Sequence, residues 1–598
     1  MNKIISLIQY AVLAGCMIGI TACGEDFLLK QPPAALAGTT METPIGVEGL
    51  LAGAYAHTTR GDIFGSAMGS DWVYGSGASD DMYKGTTASD QSSFNQVERY
   101  ETLVDNEYMM QRWRDCYNGI SRCNSTLLYL KAAQAGSTPL TATRATQVEA
   151  EAKYLRAWFH FSANKVFKNI PYIKTPEEQG GKFAEEIPNP DPGWADIEAD
   201  LDFAIANLPE SFAGEPGRVT KFAALTLKAQ ALLYQNKLSA AKPLLDQVIG
   251  SGRFSLVRNF FDNYNELTEN NSESIFELQC ASTSTGQSSM RLAGAIQFAS
   301  GPVAVGGGWG FYQPSQCLVD AFQVDDKGLP YLDITTRPHL KNDMGVLSTV
   351  AWDPPTAPVD VRLDWTFARR GIPYLDWAIM TGMSWIREQS NGGPWMTMKY
   401  MHFRANLPAQ NGAGFDNNRN FRYHRLAHVL LWRAEIAIED GEFDYAQELV
   451  NQIRNRAKGS NKVMGYYSVN VFPNSNVPLT DPNIDFSKPA ANYVTEPYPA
   501  GHFQSIGKDK AREAVRMEIR LEFASEGQRF FDLRRWGQSS ITPNYDVSVL
   551  TDYIARDSEF RTFMKGAKYG VNRRYWPIPL LQTELQRDVL VQDPDYKQ

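Results

Sequence analysis

Cysteine is scarce, and so is any pattern that would hold a metal. Six cysteines occur in 598 residues, with no CxxC pair, no HExxH and seven histidines scattered singly, so the spacings of a zinc or redox site are missing. No nucleophile elbow and no phosphate-binding glycine loop occurs either. No catalytic residue, metal ligand or cofactor is therefore predicted. Cations are outnumbered, 58 Lys and Arg against 67 Asp and Glu, giving a formal charge of −9 that disfavours nucleic acid as a partner. Past Cys23 no stretch approaches the roughly 18 consecutive apolar residues of a membrane-spanning helix. What the chain does have is 43% hydrophobic and 12% aromatic content, ample for a core, over a length beyond one ordinary domain.

The first residues carry a separate message. A single cation, Lys3, precedes an apolar stretch over 4–22, the shape of a secretory leader. Ile20-Thr21-Ala22-Cys23 resembles the lipobox of lipoprotein leaders, which implies acylation of Cys23. Each buried methylene contributes about 0.8 kcal/mol, so two or three chains would hold the protein on a membrane without a spanning helix. Residues 1–22 then form a signal peptide and 23–40 a lipid anchor and extended tether, with Pro32-Pro33 and no periodicity. An uncleaved signal anchor is the alternative. Glu25-Asp26, directly after the lipid site, has a purely solubilising reading, and it is also similar to the acidic residues of surface-exported lipoproteins in some Gram-negative bacteria, which implies outward display. The four other mature cysteines, Cys116, Cys123, Cys280 and Cys317, read as buried thiols; Cys116 and Cys123 lie about 10 Å apart along a helix, too far to bridge.

The body, 41–598, is predicted to be mainly α: a discontinuous, tetratricopeptide-like helical scaffold over 41–60, 107–257, 423–458 and 511–537, with irregular, loop-rich parts over 61–106 and 281–422. Residues 147–167 place Ala152, Leu155, Phe159 and Val166 on one face before Pro171. Residues 221–234 and 239–249 form a helix hairpin rich in alanine, and 425–439 with 445–457 repeat the device around Asp440-Gly441. The units are far apart and off a strict repeat, which favours an interrupted scaffold over a plain solenoid. A last helix, 511–525, aligns Ala514, Met517, Leu521 and Ala524, with Glu518, Arg520 and Glu522 among the charges around the rest. Trp158, Trp432 and Trp536 fall in helical blocks and are assigned to the core; Arg529, Asp532, Arg534 and Arg535 are assigned to structural ion pairs. Six of thirteen tryptophans, Trp309, Trp352, Trp365, Trp377, Trp385 and Trp395, crowd the irregular 281–422 segment.

Five ordered blocks carry a family resemblance: 149–171 (EAEAKYLRAWFHFSANKVFKNIP), 196–209 (DIEADLDFAIANLP), 217–256, 425–457 and 516–537 (RMEIRLEFASEGQRFFDLRRWG). With the tail YWPIPLLQTELQRDVLVQDPDY, which departs from the usual closing glycine at Asp595, they resemble SusD/RagB-type outer-membrane lipoproteins. The resemblance implies a non-enzymatic surface protein that captures oligosaccharides, or sometimes peptides or other nutrients, and sits on a SusC-type TonB-dependent transporter. Residues 307–322 (GGWGFYQPSQCLVDAF) resemble the family segment near the binding surface, whereas Asp325-Asp326-Lys327 departs from its common Asp-Pro-Arg.

A sugar offers a C–H face ringed by hydroxyls, so its site needs flat aromatics and polar side chains, each aromatic contact contributing about 1 kcal/mol by analogy with aromatic pairs. The candidates are Trp72, Tyr74, Trp309, Tyr312, Trp352 and Trp365, with Asp71, Asp80 and Asp81 as hydroxyl acceptors. The same residues have structural readings: Trp309 as a plug in a glycine turn, Asp80-Asp81 as a helix or turn cap. A surface glycoside hydrolase remains as a rival, since a pair of carboxylates among 67 acids leaves no sequence mark. A protein-interaction scaffold built on the helix pairs is compatible with nutrient capture.

Overall fold

The computed structural model describes residues 38–59, 69–280, 300–301, 308–333, 335–406 and 419–596; the leader, the lipobox and Cys23 lie outside them. Helices dominate, and several begin where the sequence supplies a cap. Thr43 accepts the Gly46 N–H at 3.1 Å ahead of helix α1, Pro44–Thr58, whose proline occupies the first turn. Asn106 caps α2, Glu107–Ala135, and Thr141 caps α3, Ala142–Phe167. Helix α4, Trp194–Asn207, precedes the hairpin of α5, Lys221–Tyr234, and α6, Leu238–Gly250. A second hairpin joins α7, Leu426–Asp440, to α8, Phe443–Gly459, through Gly441 at φ +80°.

Helices α1 to α6 pack in sequence order, and α6 then packs on α7 although the whole irregular half separates them along the chain. Lys242 of α6 reaches Asp440 at 2.6 Å and Glu442 at 2.8 Å, and Arg433 of α7 reaches Asp246 at 2.7 Å. The scaffold is thus broken in sequence and continuous in space. Helix α9, Lys508–Glu522, lies against α7 and α8, and α10, Arg529–Gln538, follows it. Trp158, Trp432 and Trp536 are all buried. Cys116, Cys123 and Cys317 are buried free thiols, and Cys280 is half-buried. Among the described residues no helix is long and apolar enough to cross a membrane.

Short strands mark the interruptions: β1 (Met82–Gly85), β2 (Ser274–Leu278), β3 (Phe311–Pro314), β4 (Phe421–Arg425), β5 (Met464–Tyr467) and β6 (Ile484–Pro489). They pair antiparallel as β1 with β3, β2 with β4 and β5 with β6.

The two halves are fastened by buried charge. Glu522 of α9, with Glu518 and Arg520, is sequestered from solvent although helical periodicity had left these charges around the apolar face. Its carboxylate accepts from Arg362 at 3.0 Å, from Arg425 at 2.5 Å and from Arg456. Arg362 comes from the irregular half and also grips Asp360 and Glu518, at 2.9 and 2.8 Å. Burial alone would push the Glu522 carboxyl up, but Arg456, Arg425 and Arg362 outweigh it and hold it well below the usual range.

Residues Trp72–Gly77 form one π-helical turn that presses on the segment after α9. A methyl group at Gly75 would fall 1.6 Å from the Gly527 carbonyl oxygen, so only glycine fits. Gly75→Ala is expected to cost about 3 kcal/mol or more, read as a lowered urea midpoint.

Candidate functional site

Six of the nine predicted contact residues lie in the interior, which corrects their assignment to a binding surface. Trp72, Tyr74 and Tyr312 are at most 1% exposed, and Asp71, Asp80 and Asp81 at most 5%. Trp72 packs edge-on against Phe94 and Tyr312, with ring centroids 5.0 and 5.5 Å away, and Tyr74 donates to the Tyr108 carbonyl at 2.7 Å. The Tyr312 hydroxyl meets Ser76 at 2.9 Å. Asp71 is held by Arg112 at 2.6 Å and by Lys165. Asp80 pairs with Arg529 at 2.8 Å and Arg520 at 2.9 Å, and Asp81 with Arg520 at 3.0 Å. Burial pushes both carboxyls up; the two arginines overcome this at Asp80, whose charge in turn keeps Asp81 raised. Such groups are structural ties and are closed to a ligand as placed. Arg535 pairs with Asp532 and Glu435, both at 2.7 Å, whereas Arg534 caps the backbone carbonyls of Lys165 and Arg574 and makes no ion pair among those described.

The three remaining tryptophans differ in attachment. Trp309 and Trp365 are half-buried against the main core, and Trp365 also donates to the Asn461 carbonyl at 2.7 Å. Trp352 is half-buried but belongs to none of the hydrophobic clusters. It lines a cleft of about 330 Å³ shared with Tyr466, Lys341, Asp343, Arg370 and Asn492. That volume sits at the lower end of the about 300–1,000 Å³ typical of ligand sites.

Local structure explains the placement of the two aromatics. The Trp352 backbone N–H donates to the Asn470 carbonyl at 2.9 Å, and Asn470 donates from its side chain to Asp353 at 2.9 Å, which ties the tryptophan loop to the β5–β6 hairpin. In β5 side chains alternate: Met464 and Tyr466 face out, Gly465 and Tyr467 face in. Tyr466 is 44% exposed. Trp395 and Pro354, Pro355 and Pro489 complete apolar walls. Lys341 lies 4.2 Å from the Trp352 ring centroid and donates to the Asp353 carbonyl at 2.7 Å.

The polar end of the cleft is unevenly paired. Arg369 grips Asp364 through two 2.6 Å bonds. Arg370 donates to the carbonyls of Ser348 and Val350, at 2.8 and 2.7 Å, but its acid neighbour Asp343 is 3.8 Å away. Burial pushes the Asp343 carboxyl up to about 7 against the pull of Arg370. Its folded-state pKa therefore lies above the unfolded value of 3.8, so stability falls as pH rises from the lower value through the higher. Asp343→Asn should match the wild type below about pH 4 and become progressively the more stable protein up to about pH 7, a difference measurable by thermal melts across that range. A difference that is flat with pH would contradict the burial of an acid there.

Two other grooves are less suited to stacking. One of about 390 Å³ runs between α1 and β2; its Glu48 is already paired to Arg144 at 2.6 Å and its Arg218 to Glu151 at 2.7 Å. The other, of about 450 Å³ on α2 and α3, is lined by no aromatic residue. Tyr466 and Asn492 escaped the sequence reading because it confined the binding surface to 61–106 and 281–422, and Lys341, Asp343 and Arg370, inside that range, escaped it because the reading looked there for aromatics. The alternation in MGYY was the available signal.

A profile of the SusD family matches residues 272–596, more than half of the chain. The chain belongs to the SusD family. A second profile, described as starch-binding associating with outer membrane, matches residues 26–233. SusD-like protein P25 of Formosa agariphila is 22% identical over 606 residues, covering 99% of this chain and 98% of its own. Surface glycan-binding protein A from Bacteroides fluxus superposes with a TM-score of 0.63 at 23% identity, over 92% of this chain and 99% of that one. The Bacteroides thetaiotaomicron protein of the same name, in complex with laminarihexaose, superposes with a TM-score of 0.61 at 19% identity, over 92% and 99%. The mainly helical SusD-like architecture expected from the five blocks is the one observed.

Proposed function

We propose that this SusD-family protein captures oligosaccharides at the outer membrane surface and passes them to a SusC-type TonB-dependent transporter, held there by acyl chains on Cys23. The observation that carries the reading is the cleft in which Trp352 and Tyr466, both accessible, stand beside Lys341, Asn492 and Asp353. Indole and phenol faces match the C–H face of a pyranose, while amide, ammonium and carboxylate groups match its hydroxyl rim. A relative of the same fold carries laminarihexaose, which supports a glycan as cargo. Two stacking contacts of about 1 kcal/mol each must first offset the entropy of association, so binding is weak, as hand-over requires.

A glycan-array screen of soluble protein lacking residues 1–23 tests the capture step. Binding to at least one glycan class is expected. Binding to peptides with no glycan retained would contradict it. Co-purification of a TonB-dependent barrel with the full-length protein tests the partnership separately.

A further inference from the structure

The glycan site just proposed has a second chemical feature that stacking leaves unexplained. The chain as a whole is acidic, at −9, yet this one cleft gathers three cations, Lys341, Arg369 and Arg370, against two acids, Asp343 and Asp353. Arg369 is neutralised by Asp364. Arg370 is only 4% exposed, its Nε has no hydrogen-bond acceptor, and its guanidinium otherwise donates to the backbone carbonyls of Leu347, Ser348 and Val350 and lies 5.0 Å from the Phe472 ring centroid. The one acid beside it, Asp343, stands off at 3.8 Å, and its Oδ2 likewise makes no hydrogen bond. Lys341 is exposed at the rim; its ammonium rests on the Trp352 ring and one backbone carbonyl, with no carboxylate in an ion pair among those described. A buried guanidinium with an unmet donor is costly unless something else supplies an oxygen acceptor.

We infer that the cleft is built for an acidic glycan, whose carboxylate or sulfate oxygens fall between Arg370 at the floor and Lys341 at the rim while a sugar ring stacks on Trp352. Uronates and sulfate esters share the needed chemistry, an anionic oxygen able to accept several N–H donors. This rests on the capture reading and narrows its substrate class. Burial supports it from the protein side: desolvation lowers the Arg370 pKa and raises that of Asp343, so each charge is under-compensated where it stands.

The test compares acidic oligosaccharides with their own neutralised forms, by calorimetry on soluble protein lacking residues 1–23. Galacturonate hexasaccharide is set against its carboxyl-reduced counterpart, and a sulfated galactan hexasaccharide against its desulfated counterpart, alongside the array of neutral glycans. At least one acidic probe is expected to bind about tenfold or more tightly than its neutral form, with an affinity that falls as salt is raised. Which acidic probe binds distinguishes uronate from sulfate. Lys341→Ala, at an exposed position, should weaken the acidic probe far more than its neutral form, so that the preference falls toward parity; Arg370→Gln should do the same, with thermal melts confirming that it folds. Equal binding of acidic and neutral forms, or binding of neutral glycans alone, overturns the acidic assignment and leaves capture standing. Absence of binding to every glycan overturns both.

Discussion

Glu522→Gln destabilises the protein by about 3–5 kcal/mol, the cost of breaking a buried ion network by removing one partner. Three guanidiniums, of Arg362, Arg425 and Arg456, converge on this carboxylate, and none of the four side chains is more than 4% exposed. Glutamine presents a single acceptor oxygen and turns an N–H₂ toward cations, so three buried guanidiniums lose a charged acceptor, and the carboxylates they still hold, Asp360 and Glu518 at Arg362, Glu273 and Glu526 at Arg425 and Glu273 at Arg456, are left to balance the excess positive charge. Because Arg362 belongs to the irregular half and Glu522 to the scaffold, the loss falls on the seam between them. The measurement is chemical denaturation followed by circular dichroism, with Glu48→Gln as the control. Glu48 pairs with Arg144 at the surface and is 41% exposed, so that substitution should shift stability by less than about 1 kcal/mol. Equal effects at the two sites would mean that the buried network does not fasten the halves. The Glu522 pKa is depressed below its unfolded value of 4.5, so this stabilisation is complete above that value and is lost as pH falls through the folded-state pKa.

Trp352→Ala and Tyr466→Ala each weaken glycan binding about fivefold, and the double variant brings it below calorimetric detection. Both side chains are accessible and Trp352 packs into no cluster, so the melting temperature should hardly move. Trp72→Ala supplies the opposite pattern. It empties a fully buried site beside Phe94 and Tyr312, costing about 3–5 kcal/mol, while the folded fraction keeps its affinity. An affinity loss at Trp72 with none at Trp352 would reverse the assignment made from burial.

The helices were legible because their apolar spacing and their caps are local signals. Predicted boundaries such as 221–234 coincide with the observed Lys221–Tyr234, and 147–167 falls short only at its start, where Thr141 rather than the first apolar residue sets the end. The site was legible only in part. The glycines around Trp72 and Tyr74 resemble those of an exposed loop, yet Gly75 and Gly77 are there to let the backbone of residue 527 and the ring of Phe94 come close. Asp80 and Asp81 look like free acceptors until Arg520 and Arg529, some 440 residues on, fold against them. No local pattern carries a pairing of that span. Tyr466 lies outside the tryptophan-rich stretch, and only the hairpin that brings Asn470 to Trp352 places the two rings in one cleft.

The most direct measurement is a crystal structure of the soluble protein with the glycan that binds best on the array. Sugar density is expected against the Trp352 indole and the Tyr466 phenol, inside the cleft that Trp395 helps to wall. Density at Trp309 or Trp365, with that cleft filled by solvent, would contradict the placement of the site.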